Sequence, residues 1–257
     1  MDLSFNNKVV VVTGAVGGIG SAIVRGFASC GAKVAICDLH HTENLAEELT
    51  ATGYTVAGFN FDITSREAVA ENFAAIRDTF GSIDILINNA GINVGPDQRK
   101  TVEDFSEVWW DRINAIDLTG TFNCSQAAIA YMENGGSIVN ISSVVGLVPL
   151  RNQCAFAAAK AGVANLTKAM AIELAPKNIR VNCVAPGTVG IAITNTLWQQ
   201  DDVMKALLAH IPMGRQAIPD EIAAPVLFLC SDLASYMTGT VIPVDGGWTA
   251  GGYARNF

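Results

Sequence analysis

The stretch KVVVVTGAVGGIG, residues 8–20, determines the fold that the sequence predicts. Its unbroken apolar run is typical of a strand that is buried on both faces, and we place this strand at Lys8–Thr13. The glycines that follow predict a tight turn and then a helix, Gly18–Cys30, which Gly31 ends. A strand that leads directly into a helix is the unit from which parallel α/β sheets are built.

Strands and helices continue to alternate along all 257 residues. Six further apolar runs predict strands, at Lys33–Cys37, Thr55–Phe59, Ile83–Ile87, Ser137–Ile141, Ile179–Val184 and Thr240–Val244. Helical patterns separate them, at Thr42–Thr52, Ser65–Phe80, Thr101–Met132 (two helices), Cys154–Ala175, Thr196–His210 and Pro219–Ser231. This order predicts one α/β domain over residues 1–257, a single-domain Rossmann fold whose doubly wound, parallel, seven-stranded sheet carries helices on both faces. The least regular segment, residues 187–214, is predicted to be a lid over the substrate.

Charge and composition argue against several classes of function. The net charge is −8 and no run is rich in lysine or arginine, so nucleic acid is not an expected partner. We expect no membrane span, because proline, glycine and polar residues interrupt the longest uncharged stretch, and no signal peptide. The six cysteines form no CxxC pair, and the three histidines show no ligand spacing. We therefore expect reduced thiols, a cytoplasmic protein and no metal site.

The glycine string has the features of a dinucleotide site. Gly14 permits a tight turn, Gly18 lets the backbone approach a pyrophosphate, and Gly20 lets the helix pack on the strand. The N-terminus of the helix supplies unpaired N–H groups and a favourable dipole for the anion. Asp38 ends the second strand, 18 residues after Gly20, where a carboxylate can accept a hydrogen bond from a ribose 2′-OH. No lysine or arginine stands beside it, so the sequence favours NAD over NADP.

Further along the chain, Ser142 and Ser143 follow the fifth strand, and Phe156 and Lys160 share one face of a helix. With these residues the chain resembles the short-chain dehydrogenase/reductase family over nearly its whole length. The matching segments, in chain order, are TGAVGGIG (13–20), Asp62, NNAG (88–91), Asn114, ISS (141–143), Lys160, Pro186-Gly187, MGR (213–215), SDLASYMTG (231–239) and VDGG (244–247).

The resemblance implies a role for each matching residue. Ser143 would hydrogen-bond the oxygen of a substrate alcohol or carbonyl, Lys160 would bind the nicotinamide ribose, and Asn114 would position a water in a proton relay. Other residues would contact the cofactor, namely Gly14, Gly17, Gly18, Ile19, Gly20, Asp38, Leu39, Asp62, Ile63, Asn89, Ala90, Gly91, Pro186, Gly187, Thr188 and Val189. The implied reaction is reversible hydride transfer between NAD(H) and a secondary alcohol or ketone.

Phe156 departs from the family, which has tyrosine at this position. The tyrosine hydroxyl transfers the proton to or from the substrate oxygen, and phenylalanine has no such group. Losing a general acid–base group typically costs about 10²–10⁴-fold in rate. The change is either a deliberate substitution, which we favour because the rest of the site is intact, or a natural loss of catalysis. A smaller departure is Ile191, where the family often has threonine.

The substrate and the assembly are less closely determined. Polar residues near the site favour a polyol or sugar, and we expect the substrate to contact Ser143, Asn93, Gln153, Gly187, Thr188 and Trp198. Two alternatives remain open: a 3-oxoacyl-thioester reductase, and a catalytically dead NAD-binding sensor or scaffold. The resemblance also implies a homotetramer packed through the long helices, and we expect Tyr253–Phe257 to lie near a subunit interface.

Overall fold

A seven-stranded parallel sheet forms the centre of the protein. The computed structural model describes residues 3–191 and 201–251. The strands are β1 (Val9–Thr13), β2 (Lys33–Asp38), β3 (Val56–Asn60), β4 (Ile85–Asn88), β5 (Gly136–Ile141), β6 (Ile179–Pro186) and β7 (Val241–Val244). Their order is β3-β2-β1-β4-β5-β6-β7, and every neighbouring pair is parallel. The predicted single-domain Rossmann architecture is confirmed.

Helices cover both faces of the sheet. They are α1 (Gly18–Ser29), α2 (Thr42–Ala51), α3 (Arg66–Phe80), α4 (Glu107–Ile113), α5 (Thr121–Ile129), α6 (Cys154–Leu174), α7 (Asp201–Leu208) and α8 (Pro219–Cys230). Alternate residues of β1 enter opposite cores: Val10 and Val12 pack with α1, α2 and α8, and Val11 packs with α3, α5 and α6. This two-residue alternation explains why an unbroken apolar run was needed for a strand with helices on both sides.

The segment predicted as two helices over Thr101–Met132 is more irregular than expected. Helix α4 begins only at Glu107, because the Ser106 hydroxyl accepts a hydrogen bond from Trp109 N at 3.4 Å and caps the helix there. A π-helical turn, Asn114–Gly120, then joins α4 to α5. The wider turn changes which residues face the sheet, and this matters for the site described below.

The topology places a crevice at the carboxyl ends of the strands. Between the neighbours β1 and β4 the chain changes direction across the sheet, which is where open α/β sheets bind ligands. Part of the predicted lid borders this crevice: its two ends, 187–191 and 201–214, are described, and residues 192–200 lie outside the described residues. Within the described ranges no helix is long and apolar enough to cross a membrane. All six cysteines are free thiols.

Candidate active site

Two adjoining cavities form one cleft along the carboxyl edge of the sheet. The first, of about 460 Å³, runs past the glycine loop and the end of β2. The second, of about 290 Å³, lies over the ends of β5 and β6 and the start of α6. Residues common to both linings join the two, namely Ile19, Asn89, Gly91, Ile92 and Ile191. The cleft can therefore hold a long ligand in the first cavity with one end reaching the second.

The glycine loop forms a cradle at the start of α1. Gly14 has φ of +62°, and a Cβ there would lie 2.7 Å from Ala90 Cα, so this position needs glycine. A Cβ on Gly20 would collide with the carbonyl oxygen of Gly14. Asn89 fixes the loop, since its Nδ2 donates to Thr13 O at 3.1 Å and to Gly14 O at 2.8 Å. Gly17 has no side chain that could cap α1, so the first-turn N–H groups can bind an anion.

The carboxylate of Asp38 is held at the rim of the first cavity. Its Oδ2 accepts a hydrogen bond from Val16 N at 3.0 Å, and its Oδ1 accepts one from Leu39 N at 2.7 Å. Asp62 is held in a similar way, because Thr64 N and Thr64 Oγ1 both donate to its Oδ1 at 2.8 Å. Both acidic groups are therefore oriented before a ligand arrives.

The first cavity collects the residues that were expected to bind the adenosine and pyrophosphate parts of the cofactor. Its lining includes all of them: Gly14, Gly17, Gly18, Ile19, Gly20, Asp38, Leu39, Asp62, Ile63, Asn89, Ala90 and Gly91. Five further lining residues were not singled out from the sequence, namely Val16, Phe61, Ile92, Arg112 and Ile116. The chemistry of this set fits a dinucleotide: an anion cradle on α1, a carboxylate at the end of β2 and apolar walls for a base.

The second cavity collects the residues that were expected to act on the substrate. Ser143, Phe156 and Lys160 line it, together with Asn93, Gln153 and the segment 186–189. Ser143 follows β5, and its Oγ accepts a hydrogen bond from Val145 N at 3.2 Å. That leaves the hydroxyl proton of Ser143 available to a ligand oxygen.

Phe156 lines this cavity at the position where the resemblance implies a proton-transferring tyrosine. The ring packs against an apolar cluster formed by Val144, Val145, Ile211 and Trp248. The Nζ of Lys160, one turn later on α6, lies 5.7 Å from the centre of this ring. The ring is thus in place in the cavity, and it carries no group that can exchange a proton.

Lys160 is part of a buried ion pair. Its side chain is 6% exposed, and its Nζ donates to Ile141 O at 3.1 Å and lies 3.1 Å from Oδ2 of the fully buried Asp117. Oδ2 has no aligned hydrogen bond among the described residues, so this contact is one of charge. Oδ1 of Asp117 accepts a hydrogen bond from Ile92 N at 2.8 Å. Burying the lysine charge is possible because a carboxylate meets it inside the protein.

The side chain of Asn114 does not contact this cluster, and its expected role in a proton relay stays a prediction. Nδ2 of Asn114 donates to Trp110 O at 2.8 Å, one turn back on α4, and within the described parts of the two linings Asn114 does not occur. The residue from this helical segment that reaches Lys160 is Asp117, which lies in the π-helical turn. Sequence spacing gave no sign of the π turn and therefore no sign of Asp117.

Two other expectations concern the segment after β6. Ile191, the second departure from the family, lines both cavities, and a Cβ on Gly18 would come within 2.5 Å of its Cγ2. This position therefore presents an apolar side chain to the glycine loop. Thr188 lines the second cavity, whereas Trp198 lies outside the described residues.

The second cavity also contains residues that the sequence analysis missed, among them Arg99, Leu150, Leu207 and Trp248. Arg99 comes from the loop after β4, and partial burial lowers the pKa of its guanidinium.

Cys183, which lies in β6, is buried, and burial raises the pKa of its thiol to about 11. This cysteine is therefore a neutral thiol at physiological pH. Within residues 3–191 and 201–251 no group of histidine, cysteine, aspartate and glutamate could hold a metal ion.

Comparisons with known proteins agree with this geometry. A family model described as Enoyl-(Acyl carrier protein) reductase matches residues 14–249. The chain is 43% identical over 257 residues to trans-4-hydroxycyclohexanecarboxylate dehydrogenase of Sinomonas cyclohexanicum, covering 96% of this chain and 95% of the relative. It is 39% identical to 3-oxoacyl-[acyl-carrier-protein] reductase FabG of Thermotoga maritima, covering 95% and 99%. The crystal structure of gox2181 superposes with a TM-score of 0.93 at 36% identity, covering 97% of this chain and 98% of that one.

Proposed function

The chain belongs to the short-chain dehydrogenase/reductase family, and we propose that it is an NAD-binding oxidoreductase for a secondary alcohol and its ketone, disabled at proton transfer by Phe156. One observation carries the proposal. Ser143, Phe156 and Lys160 line a single cavity that opens into the glycine cradle on α1. A ligand that spans the cleft would therefore bring its reactive end to these three residues.

The cofactor side of the proposal rests on the fit of the first cavity. The family uses NAD or NADP. When bound, the oxidised form of such a cofactor would accept a hydride from the alcohol carbon, and the reduced form would return one to the ketone. Gly17 and Gly18 would hold the pyrophosphate, Asp62 and Ile63 would lie beside the adenine, and Lys160 would bind the nicotinamide ribose. We propose NAD rather than NADP because the oriented carboxylate of Asp38 accepts hydrogen bonds and repels a 2′-phosphate.

The substrate side of the proposal separates orientation from proton transfer. Ser143 can donate its hydroxyl proton in a hydrogen bond to the substrate oxygen, because its own oxygen already accepts from Val145 N. The proton that the oxygen loses or gains then needs an acid–base group. Phe156 offers none, and Lys160 is matched by Asp117. The site therefore binds and orients, and the missing hydroxyl is expected to cost about 10²–10⁴-fold in rate.

The test is the Phe156→Tyr variant. We expect it to reduce NAD at least about 10²-fold faster than the original chain on its best substrate, because the hydroxyl restores general acid–base catalysis. The assay is NADH absorbance on a panel of sugars, polyols, carbocyclic alcohols, hydroxy acids and 3-hydroxyacyl thioesters. Phe122→Tyr, which adds the same hydroxyl at a side chain that is 38% exposed, is the matched control.

NAD binding is measured separately by calorimetry on all three proteins. Turnover by Phe156→Tyr alone supports the proposal. If Phe156→Tyr binds NAD and remains inactive on the whole panel, the oxidoreductase proposal fails and a catalytically dead NAD-binding scaffold takes its place.

The panel also separates the substrate classes. The expectation of a polyol or sugar stays a prediction, and a 3-oxoacyl thioester is a second candidate because the Thermotoga maritima relative is a 3-oxoacyl-[acyl-carrier-protein] reductase. A third class has its own support. The walls formed by Val145, Leu150, Leu207 and Trp248 are apolar, and the Sinomonas cyclohexanicum relative is a hydroxycyclohexanecarboxylate dehydrogenase. We therefore propose a carbocyclic secondary alcohol as the first substrate to try.

The proposal of a homotetramer rests on exposed apolar side chains. Val108 and Trp110 of α4, Phe122 of α5 and Ile172 of α6 are exposed, Val108 and Ile172 by 74% and 78%. Exposed apolar side chains on these three helices are suited to packing between subunits. The predicted contact at Tyr253–Phe257 lies outside the described residues. A cytoplasmic location remains a prediction from the free cysteines.

A further inference from the structure

Hydrogen bonds fix the orientation of two side-chain amides at the second cavity, those of Asn93 and Gln153. The backbone N–H of Val94 donates to Oδ1 of Asn93 at 2.8 Å. An N–H group can only donate, so this contact settles which end of the Asn93 amide is the oxygen. The Nδ2 of Asn93 must then be the atom that meets Gln153.

Gln153 therefore presents a donor to the cavity. The Nδ2 of Asn93 lies 3.0 Å from Oε1 of Gln153, and that oxygen accepts its hydrogen bond. The remaining polar atom of the Gln153 side chain is the Nε2 amide, which carries two protons. Gln153 is 6% exposed, and it precedes Phe156 by one turn at the start of α6. A buried amide beside the reacting position thus has donors to give to a ligand.

Arg99 and Ser143 present further donors in the same cavity. The guanidinium of Arg99 has five N–H donors and no acceptor. The oxygen of Ser143 accepts from Val145 N, so its proton is available, and the charge of Lys160 is already matched by Asp117. Arg99 also lines the cavity, and its guanidinium is positively charged in a chain whose net charge is −8. Its partial burial means that an anion beside it is favoured, since the charge has less water around it.

We propose that the substrate is a hydroxy acid, or the corresponding oxo acid, whose carboxylate is bound by Arg99 and Gln153. This inference rests on the proposed function and names the substrate class of the same site. A carboxylate accepts at both oxygens and meets a planar guanidinium in two parallel hydrogen bonds. Neither a sugar or polyol nor the carbonyl of a thioester carries a negative charge that Arg99 would attract. The apolar walls contact the body of the acid.

The test uses binding, so it does not depend on turnover. Cyclohexanecarboxylate and cyclohexanecarboxamide have the same apolar ring, and only the first carries a charge. Their dissociation constants are measured by calorimetry on the chain saturated with NADH. We expect the acid to bind about 10–100-fold more tightly than the amide, as is typical of charge-assisted hydrogen bonds.

Three variants test whether Arg99 causes the tighter binding of the acid than of the amide. Arg99→Gln should bring the two constants within about twofold of each other, and Arg99→Lys should retain part of the preference because it retains the charge. Arg151→Gln removes the same charge from an exposed position near the cavity and should leave the preference unchanged. Unchanged NADH affinity shows that each variant is folded. If Arg99→Gln does not fold, Arg99→Lys is used in its place, and a reduced preference for the acid is then the expected result.

Three results would overturn the inference: equal binding of acid and amide, a preference that survives Arg99→Gln, or no binding of the acid at millimolar concentration. The proposed function can fail or succeed independently, because it is judged by turnover in Phe156→Tyr. An acid preference without turnover would leave a carboxylate-binding NAD scaffold. Turnover on neutral alcohols without an acid preference would leave an oxidoreductase of another substrate class.

Discussion

Replacing Asp117 by asparagine should destabilise the fold far more than the loss of one surface charge would. The carboxylate has a partner at each oxygen: Oδ1 accepts the hydrogen bond from Ile92 N at 2.8 Å, and Oδ2 lies 3.1 Å from the charged Nζ of Lys160. Asparagine has one oxygen and one amide nitrogen. Whichever way the amide turns, its NH₂ group faces a donor, either the backbone N–H or the ammonium.

The magnitude follows from burial. Asp117 is fully buried and the side chain of Lys160 is 6% exposed, so water cannot replace the lost partner. Removing one partner of a buried pair typically costs about 3–5 kcal/mol of unfolding free energy. For a chain of this size, that corresponds to a fall in melting temperature on the order of 10 °C. The contact of Lys160 with Ile141 O remains in the variant, and we therefore expect the lower end of the range.

The assay is urea denaturation followed by tryptophan fluorescence, with Glu48→Gln as matched control. Glu48 forms a two-pronged pair with Arg25 at 2.7 and 2.8 Å, but its side chain is 56% exposed, so the same carboxyl-to-amide change should cost less than about 1 kcal/mol. A double variant, Asp117→Leu with Lys160→Met, should recover most of the loss because no buried charge remains. If Asp117→Asn costs no more than Glu48→Gln, the reasoning about the buried pair is refuted.

Two further predictions concern cofactor choice and assembly. Asp38→Ala should weaken NADH binding about 10-fold and reduce the discrimination against NADPH, because it removes the carboxylate that we propose binds the ribose. Fluorescence titration with both cofactors checks this, and an unchanged ratio of the two dissociation constants would contradict it. Light scattering should give the mass of four chains, each of 27.0 kDa, and a monomeric mass would contradict the expectation of a tetramer.

The sheet could be predicted from the sequence because each strand is a short apolar run that the helices of both faces must bury. The ends of strands and helices were less predictable where hydrogen bonds from side chains to the backbone set them. The fourth strand was expected from Ile83 and begins at Ile85; between them, the side chain of Asp84 accepts the hydrogen bond of Val9 N at 2.8 Å. Helix α4 begins six residues later than the helical pattern, at the cap formed by Ser106. Such side chain to backbone contacts do not show in periodicity.

Some residues of the candidate site could likewise be predicted from the sequence, and others could not. Residues at strand ends and on the glycine loop could be placed from the sequence, because the topology brings all carboxyl ends of a parallel sheet to one edge. The positions of Arg99 and Asp117 in the site could not be predicted in this way. Arg99 stands in a loop, where no periodicity fixes direction, and Asp117 reaches the site through a π-helical turn that changes the helical register.

The ion pair also changes what the intact residues around Phe156 signify. Ser143 and Lys160 remain in place, which favoured a deliberate substitution over a natural loss of catalysis. Yet Lys160 has a second reason to be present, since without it the fully buried carboxylate of Asp117 would have no opposite charge at 3.1 Å. A chain that had lost its proton-transfer step would still be stabilised by lysine at this position for as long as it kept Asp117. The presence of Lys160 therefore does not separate the two histories of Phe156. Turnover by Phe156→Tyr would show instead that the site has kept its substrate geometry, because one added hydroxyl restores activity only where the substrate is still correctly oriented.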